Sequence, residues 1–239
     1  VSSKLLEIIA LTAMAGLAMP AGGLIAMLDR FQSKWLVQEL RHSVTAFGGG
    51  VLLSAVALVL VPEGIRNNSV PTVAVAMLLG GVAFLMFDQY LSSRKTQAAQ
   101  LTAMLSDFIP EALALGAAFA SDRSTAFLLA LLIALQNLPE GFNAYRELAA
   151  SGRISRKKIL YGFTVLAAAG PIAGTIGWLF LSSQPAILDF IMLFAGGGIL
   201  YLVFQDIAPQ AYLERRWAPA LGAVAGFLVG VIGQMLIAG

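Results

Sequence analysis

The stretch STAFLLALLIALQNLPEGFNAYR, residues 124–146, decides how this chain is built. Residues 126–135 are an unbroken apolar run, and the whole stretch is long enough to cross the ~30 Å of hydrocarbon in a bilayer. Its centre nevertheless carries Gln136, Asn137, Pro139 and Glu140. A carboxylate at mid-depth costs at least ~2.5 kcal/mol on insertion scales, so this one needs a compensating partner.

The rest of the chain is of the same kind. Of 239 residues 59% are hydrophobic and only 12% are charged, against roughly 25% charged in a soluble domain, and the mean hydropathy is +0.83. Apolar windows bounded by charges and turn residues predict eight spans at 4–28, 44–63, 71–91, 101–121, 124–146, 159–181, 186–211 and 218–238. The expected fold is an all-α integral membrane domain covering 1–239, with the lipid bilayer as its solvent. The first stretch is expected to be a span rather than a cleaved leader, because its apolar run is long, contains Glu7 and leads into a basic segment. Cysteine is absent, which excludes disulfides and thiolate metal sites, and His42 is the single histidine. The net charge of +2 arises from few ionisable groups and reports loop topology, not a nucleic-acid partner.

Of the fifteen basic residues, all but Lys4, Arg66 and Arg123 fall in the odd-numbered loops. By the positive-inside rule these loops face the cytoplasm and both termini lie outside it, with Trp35, Tyr212 and Trp217 near the inner boundary. The compactness of the chain suggests a bacterial inner (plasma) membrane.

Three landmarks recur. Gly48 opens GGGVLL in span 2, which ends at Pro62-Glu63; Gly196 opens GGGILY in span 7, which ends at Pro209-Gln210. Pro20 and Gly23 in span 1 match Pro171 and Gly174 in span 6, and Pro71 and Pro219 open spans 3 and 8. Spans 1–3 thus read as repeated in 6–8, and the charge rule makes the two copies run oppositely, an inverted repeat around spans 4 and 5. The Gly triplets lack the Lys-Ser/Thr of a phosphate loop and are read as helix-packing positions.

Spans 4 and 5 carry the chemistry. Span 4 holds Asp107 and Glu111 around Pro110; span 5 holds Gln136 and Glu140 around Pro139. Each pair is four residues apart, so each shares one helix face. Because the spans run oppositely, Asp107 is expected level with Glu140, and Glu111 with Gln136. Proline removes a helical hydrogen bond and frees a carbonyl upstream, and in lipid such backbone survives where it faces protein, water or an ion. A cation among these oxygens is the direct reading. The bland one is a Pro-kinked pair of helices whose carboxylates are protonated or bonded to Ser and Asn.

Other polar residues remain open. His42 is an interfacial histidine or a cytosolic metal or pH sensor; Glu63 guides cations or merely marks the water boundary; Asp88 and Asp189 read as solvated anchors. The basic segment Arg153 to Lys158 is explained by topology, with contact to anionic lipid heads as the alternative.

The two central segments, Ser106-Asp107-Phe108-Ile109-Pro110-Glu111 and Gln136-Asn137-Leu138-Pro139-Glu140-Gly141, resemble the paired His-Asn-x-Pro-Glu signatures of the ZIP (Zrt/Irt-like) family of divalent metal transporters. The resemblance covers nearly the whole chain. It implies an eight-helix bundle, commonly a homodimer, that moves zinc, iron(II), manganese or related ions toward the cytoplasm by alternating access, with the metal ion as substrate and no cofactor. It implies that Glu111 and Glu140 are the bridging glutamates, with Gln136, Asn137 and Asp107 completing the site. The segment Gln205-Asp206-Ile207-Ala208-Pro209 resembles the family's acidic exit, which makes Asp206 a second stop. Three departures stand out: Phe108 replaces an Asn, Gly170 stands where many members have Glu, and Val59 where span 2 often offers His. They imply one bound ion rather than two. An all-oxygen site also favours harder ions such as manganese, magnesium, calcium or iron(II), while zinc still binds carboxylates well. The competing readings are a non-transporting metal-binding or scaffold relative and, far behind, an intramembrane enzyme, for which a protease would bring two catalytic aspartates.

Overall fold

The computed structural model describes residues 2–28, 34–94, 97–214 and 217–238; the side chains of 2, 34–37, 92, 94, 97–100, 102, 103, 106, 107, 120, 121 and 238 are outside that description. The predicted roles of Arg30, Lys34, Trp35, Arg94, Lys95, Arg215, Arg216 and the Asp107 carboxylate therefore lie outside the described residues and side chains.

Eight long helical runs follow one another, and no strand occurs among the described residues. We number them α1 (Ser2–Leu28), α2 (34–65), α3 (Val70–Arg94), α4 (Gln97–Ser121), α5 (Arg123–Ala150), α6 (Arg156–Leu181), α7 (Pro185–Ala211) and α8 (Ala218–Ala238). Seven of them are long and apolar enough to cross a membrane; α4 contributes the shorter apolar stretch Phe108–Phe119. Large apolar side chains point outward along α3 and α8, as at Leu78, Val82, Leu228 and Leu236, which suits hydrocarbon and not water.

The helices overrun the predicted spans at one end of the bundle, where α2 begins at residue 34 instead of 44 and α5 continues to residue 150 instead of 146. Hydropathy marks where apolar residues stop; a helix carries on into water wherever its backbone bonds are still made. This end carries Arg41, Arg146, Arg153, Arg156, Lys157 and Lys158, and is called the basic end below.

Prolines shape the rods. A proline ring clashes with the carbonyl four residues back. In α2 and α7 the helix widens to a π turn just before it, over Val56–Leu60 ahead of Pro62 and over Val203–Ile207 ahead of Pro209. In α6 the run breaks at Ala168, ahead of Pro171, and its last turn, Gly177–Leu181, is again π. At the far end Asp122 caps α5: its Oδ1 accepts from the Ser124 N–H at 2.9 Å, and its Oδ2 accepts from the Thr125 hydroxyl.

Helices pair closely as α1 with α5, α4 with α6, α2 with α8, and α3 with α7. Each crossing rests on a glycine from either helix, at positions where a Cβ would collide with the partner's backbone: Gly22 and Gly141, Gly116 and Gly177, Gly50 and Gly226, Gly80 and Gly197. Two groups result, α1, α4, α5, α6 and α2, α3, α7, α8, which meet where α5 packs on α2 and α4 on α7.

Candidate metal site

Glu111, on α4, is only 1% exposed. Gln136, on α5, donates through Nε2 to its Oε2 at 3.1 Å. The two helices thus set Glu111 and Gln136 at one level.

The orientation of Gln136 is fixed by a relay that starts at the backbone. The Ala15 carbonyl of α1 can only accept, so Asn137 turns its Nδ2 to it at 2.9 Å. Its Oδ1 then accepts from Gln136 Nε2 at 2.7 Å. Both hydrogens of the Gln136 amide are thereby engaged, one on Asn137 and one on Glu111, and its Oε1 takes part in neither bond. Asn137 is fully buried and turned toward α1, so it holds Gln136 in place.

Glu140 lies one turn further along α5, about 6 Å in height from Gln136. Both line a cavity of about 170 Å³ that runs toward the basic end between α2, α4, α5 and α7. Glu147 and Gln210 stand further along its wall, as does Asp206, to which Gln210 bonds through its side chain. These last three residues are exposed, so water reaches the cavity from the basic end. Beyond Glu111 the packing turns apolar: Leu115, Leu129, Leu132, Ile133, Leu193 and Ile199 are each nearly fully buried.

The cavity wall also includes Thr45, Asn143, Glu147 and Gln210; of these only Gln210 figured in the sequence pattern, as the end of span 7, and none was a candidate site residue. Asn143 and Glu147 were detectable, because residues 136, 140, 143 and 147 fall at one-face helical spacing. Thr45 and Gln210 enter from other helices. Among the described residues no group of three or more His, Cys, Asp and Glu side chains converges as a metal cluster.

The departures named from the sequence occupy defined places. Phe108 is fully buried and its ring lies against α1 and α6: a Cβ on Gly170 would stand 2.6 Å from Phe108 Cζ, and one on Gly16 2.9 Å from it. The missing acid at 170 and the aromatic ring at 108 are therefore neighbours. Val59 sits buried in the π turn of α2. His42 places Nδ1 2.6 Å from the Gln210 carbonyl; as the carbonyl only accepts, Nδ1 carries the proton, and the ring ties α2 to the end of α7.

At the opposite end Glu63 pairs with Arg66 at 2.8 Å, Glu7 with Arg123 at 2.8 Å, and Asp189 accepts from Asn68 at 3.1 Å. Asp88 accepts from the Tyr201 hydroxyl at 3.0 Å. These four carboxylates thus hold helix ends and side chains together.

A family described as ZIP zinc transporter matches residues 99–238. Among known proteins, the zinc transporter SLC39A7 of Homo sapiens is 27% identical over 146 residues, covering 58% of this chain and 31% of the relative. The protein of the same description from Canis lupus familiaris is 28% identical over 147 residues, with the same coverage. The matched segment is thus about a third of the length of these relatives.

Proposed function

The chain belongs to the ZIP zinc transporter family, and from that premise we propose that it carries divalent metal cations across a membrane through the Glu111–Gln136–Glu140 region. The observation that carries this reading is a carboxylate 1% exposed at the heart of the bundle, bonded to Gln136, which lines a cavity that also holds Glu140, Glu147 and Asp206. Burying a charge there is costly unless a cation shares it.

In this reading all eight helices span the bilayer and the basic end faces the cytoplasm, so the cavity is the inward exit. Glu111 and Glu140 bind a partly dehydrated ion, the Asp107 carboxylate and Gln136 Oε1 complete its shell, and Asn137 positions Gln136. Asp206 then receives the ion beside the exposed mouth. Oxygen donors alone favour manganese, iron(II) or another hard ion, with zinc still able to bind. One ion is expected, because Phe108 fills the space beside Gly170.

The pattern of crossings supports the inverted repeat. If spans 1, 2 and 3 correspond to 6, 7 and 8, and span 4 to span 5, the α1·α5 contact maps onto α6·α4, and α2·α8 onto α7·α3. All four are the close, glycine-paired crossings. Alternating access then follows from movement of α1, α4, α5 and α6 against the other four helices, because the packing within each group is tighter than between them.

The test is flux into sealed vesicles for manganese, zinc, iron(II), magnesium and cadmium, for wild type and for Glu111→Ala with Glu140→Ala. Metal-dependent flux abolished in the double variant is the expected result. Flux that survives it refutes the site, and binding without flux in the wild type identifies a non-transporting relative.

A further inference from the structure

Gln136, Glu140, Asn143 and Glu147 succeed one another at intervals of four, three and four residues, so they form one polar row along α5, and all four line the cavity. The transport reading uses the first two. Asn143 has no part in it so far.

Two hydrogen bonds fix the Asn143 amide. The Thr45 hydroxyl has a single proton, which goes to the Arg41 carbonyl at 3.0 Å. Toward Asn143 its oxygen is therefore an acceptor, and it accepts from Nδ2 at 2.8 Å. The amide cannot turn over without losing that bond. Its Oδ1 is consequently presented on the other side, shielded from solvent and without a hydrogen-bond partner among the described residues. Buried carbonyl oxygens are nearly always satisfied, and one that is not carries a desolvation cost, so its retention calls for an explanation. The cavity supplies one: an amide oxygen is an ordinary ligand for a hard divalent ion.

We propose that Asn143 Oδ1 is a ligand of an additional, transient cation position between the central site and Asp206, one turn below Glu140 toward the basic end. This inference rests on the transport reading above. An ion leaving the centre keeps Glu140 as a ligand, gains Asn143 Oδ1, and then moves on to Asp206 and Glu147 at the mouth. Glu140 and Asn143 are three residues apart and adjacent on the helix surface, so one ion can bridge them. A neutral ligand suits a transit position, because it replaces a hydration water without adding charge that would hold the ion, and conduction needs sites an ion can leave. The position takes oxygen-preferring cations such as manganese.

The test uses the full chain and manganese alone. Equilibrium manganese binding in detergent and manganese flux into vesicles are measured for wild type, Asn143→Ala, Asn143→Leu, Thr45→Val and Glu140→Gln. Asn143→Ala is expected to lower flux about tenfold while the equilibrium Kd stays within about twofold. Thr45→Val, which removes the acceptor that orients the amide, shifts flux the same way by a smaller factor. Asn143→Leu, closer to Asn in volume, repeats the measurement if the alanine variant fails to fold. Wild-type flux in either Asn143 variant, with flux abolished in Glu140→Gln, overturns the proposal and leaves the transport reading standing. Full flux in Glu140→Gln, or none in the wild type, overturns both.

Discussion

Asn137→Ala should damage the site without touching a carboxylate. Asn137 donates to the Ala15 carbonyl at 2.9 Å and accepts from Gln136 at 2.7 Å, and it is fully buried. Alanine removes both bonds and leaves the Ala15 carbonyl and one Gln136 N–H without those partners. The bond to the Ala15 carbonyl joins two helices and is worth ~0.6 kcal/mol on average and up to ~1.7; the bond from Gln136 lies within α5 and adds about 0.5–1.5 kcal/mol, so the two together amount to about 2 kcal/mol. For a chain of this size that corresponds to a melting temperature lower by roughly 4–8 °C. The functional effect exceeds the structural one, because Gln136 loses the contact that fixes its Oε1. Manganese affinity should fall about tenfold, the loss expected when an outer partner of a metal ligand is removed. Thermal melts in detergent and manganese titration of the same preparation read both quantities. An unchanged melt together with an unchanged Kd would refute the relay from Ala15 through Asn137 to Gln136.

Three further outcomes are expected. Glu111→Gln keeps the shape of the buried side chain and removes its charge, so the protein should fold as wild type in a thermal melt while manganese binding is lost. Gly170→Ala should destabilise, because its Cβ would lie 2.6 Å from Phe108 Cζ and 2.7 Å from the Thr12 carbonyl; Phe108→Leu in the same chain should restore part of the stability, giving a coupling of about 0.5–3 kcal/mol in a double-mutant cycle. Asp122→Ala should cost about 1 kcal/mol through loss of the α5 cap. The Thr125 hydroxyl and the backbone N–H donors hold the Asp122 carboxyl below the usual carboxylate range. Its contribution is therefore complete above the unfolded value near pH ~4 and disappears as pH falls through the lower folded value. Wild-type and variant melting curves, separate at neutral pH, should merge in strong acid.

Seven apolar helices of membrane-crossing length were legible because lipid imposes one length scale and penalises every charge inside it; for the remaining predicted span, α4 offers the shorter apolar stretch Phe108–Phe119. The level of Glu111 with Gln136 was legible for a related reason: two antiparallel helices, counted from the same end, allow little freedom in height. The helix ends at 34–43 and 147–150 were not, because a helix persists into water after the apolar residues stop. The contact between Phe108 and Gly170 was hidden by chain separation, although both residues stood out singly. Asn143 was passed over because a polar residue near the end of a span reads as a boundary marker; its meaning depends on Thr45, which only packing brings to it. The relay through Asn137 was hidden for the same reason, since Ala15 offers nothing but its backbone.

The position of the cavity ties the site to the way the bundle is divided. Its walls come from α4 and α5 on one side and from α2 and α7 on the other, so it lies on the boundary between the two helix groups. Glu111, Gln136 and Glu140 belong to one group and Asp206 to the other. Thr45 also belongs to the second group, yet it orients Asn143 of the first across that boundary. Any sliding of one group past the other must therefore break the Thr45–Asn143 bond and change the distance from Glu140 to Asp206 at the same time. In the proposed transport cycle, release of an ion from Glu140 and release of the Asn143 amide would therefore be a single event, because the same interface carries both.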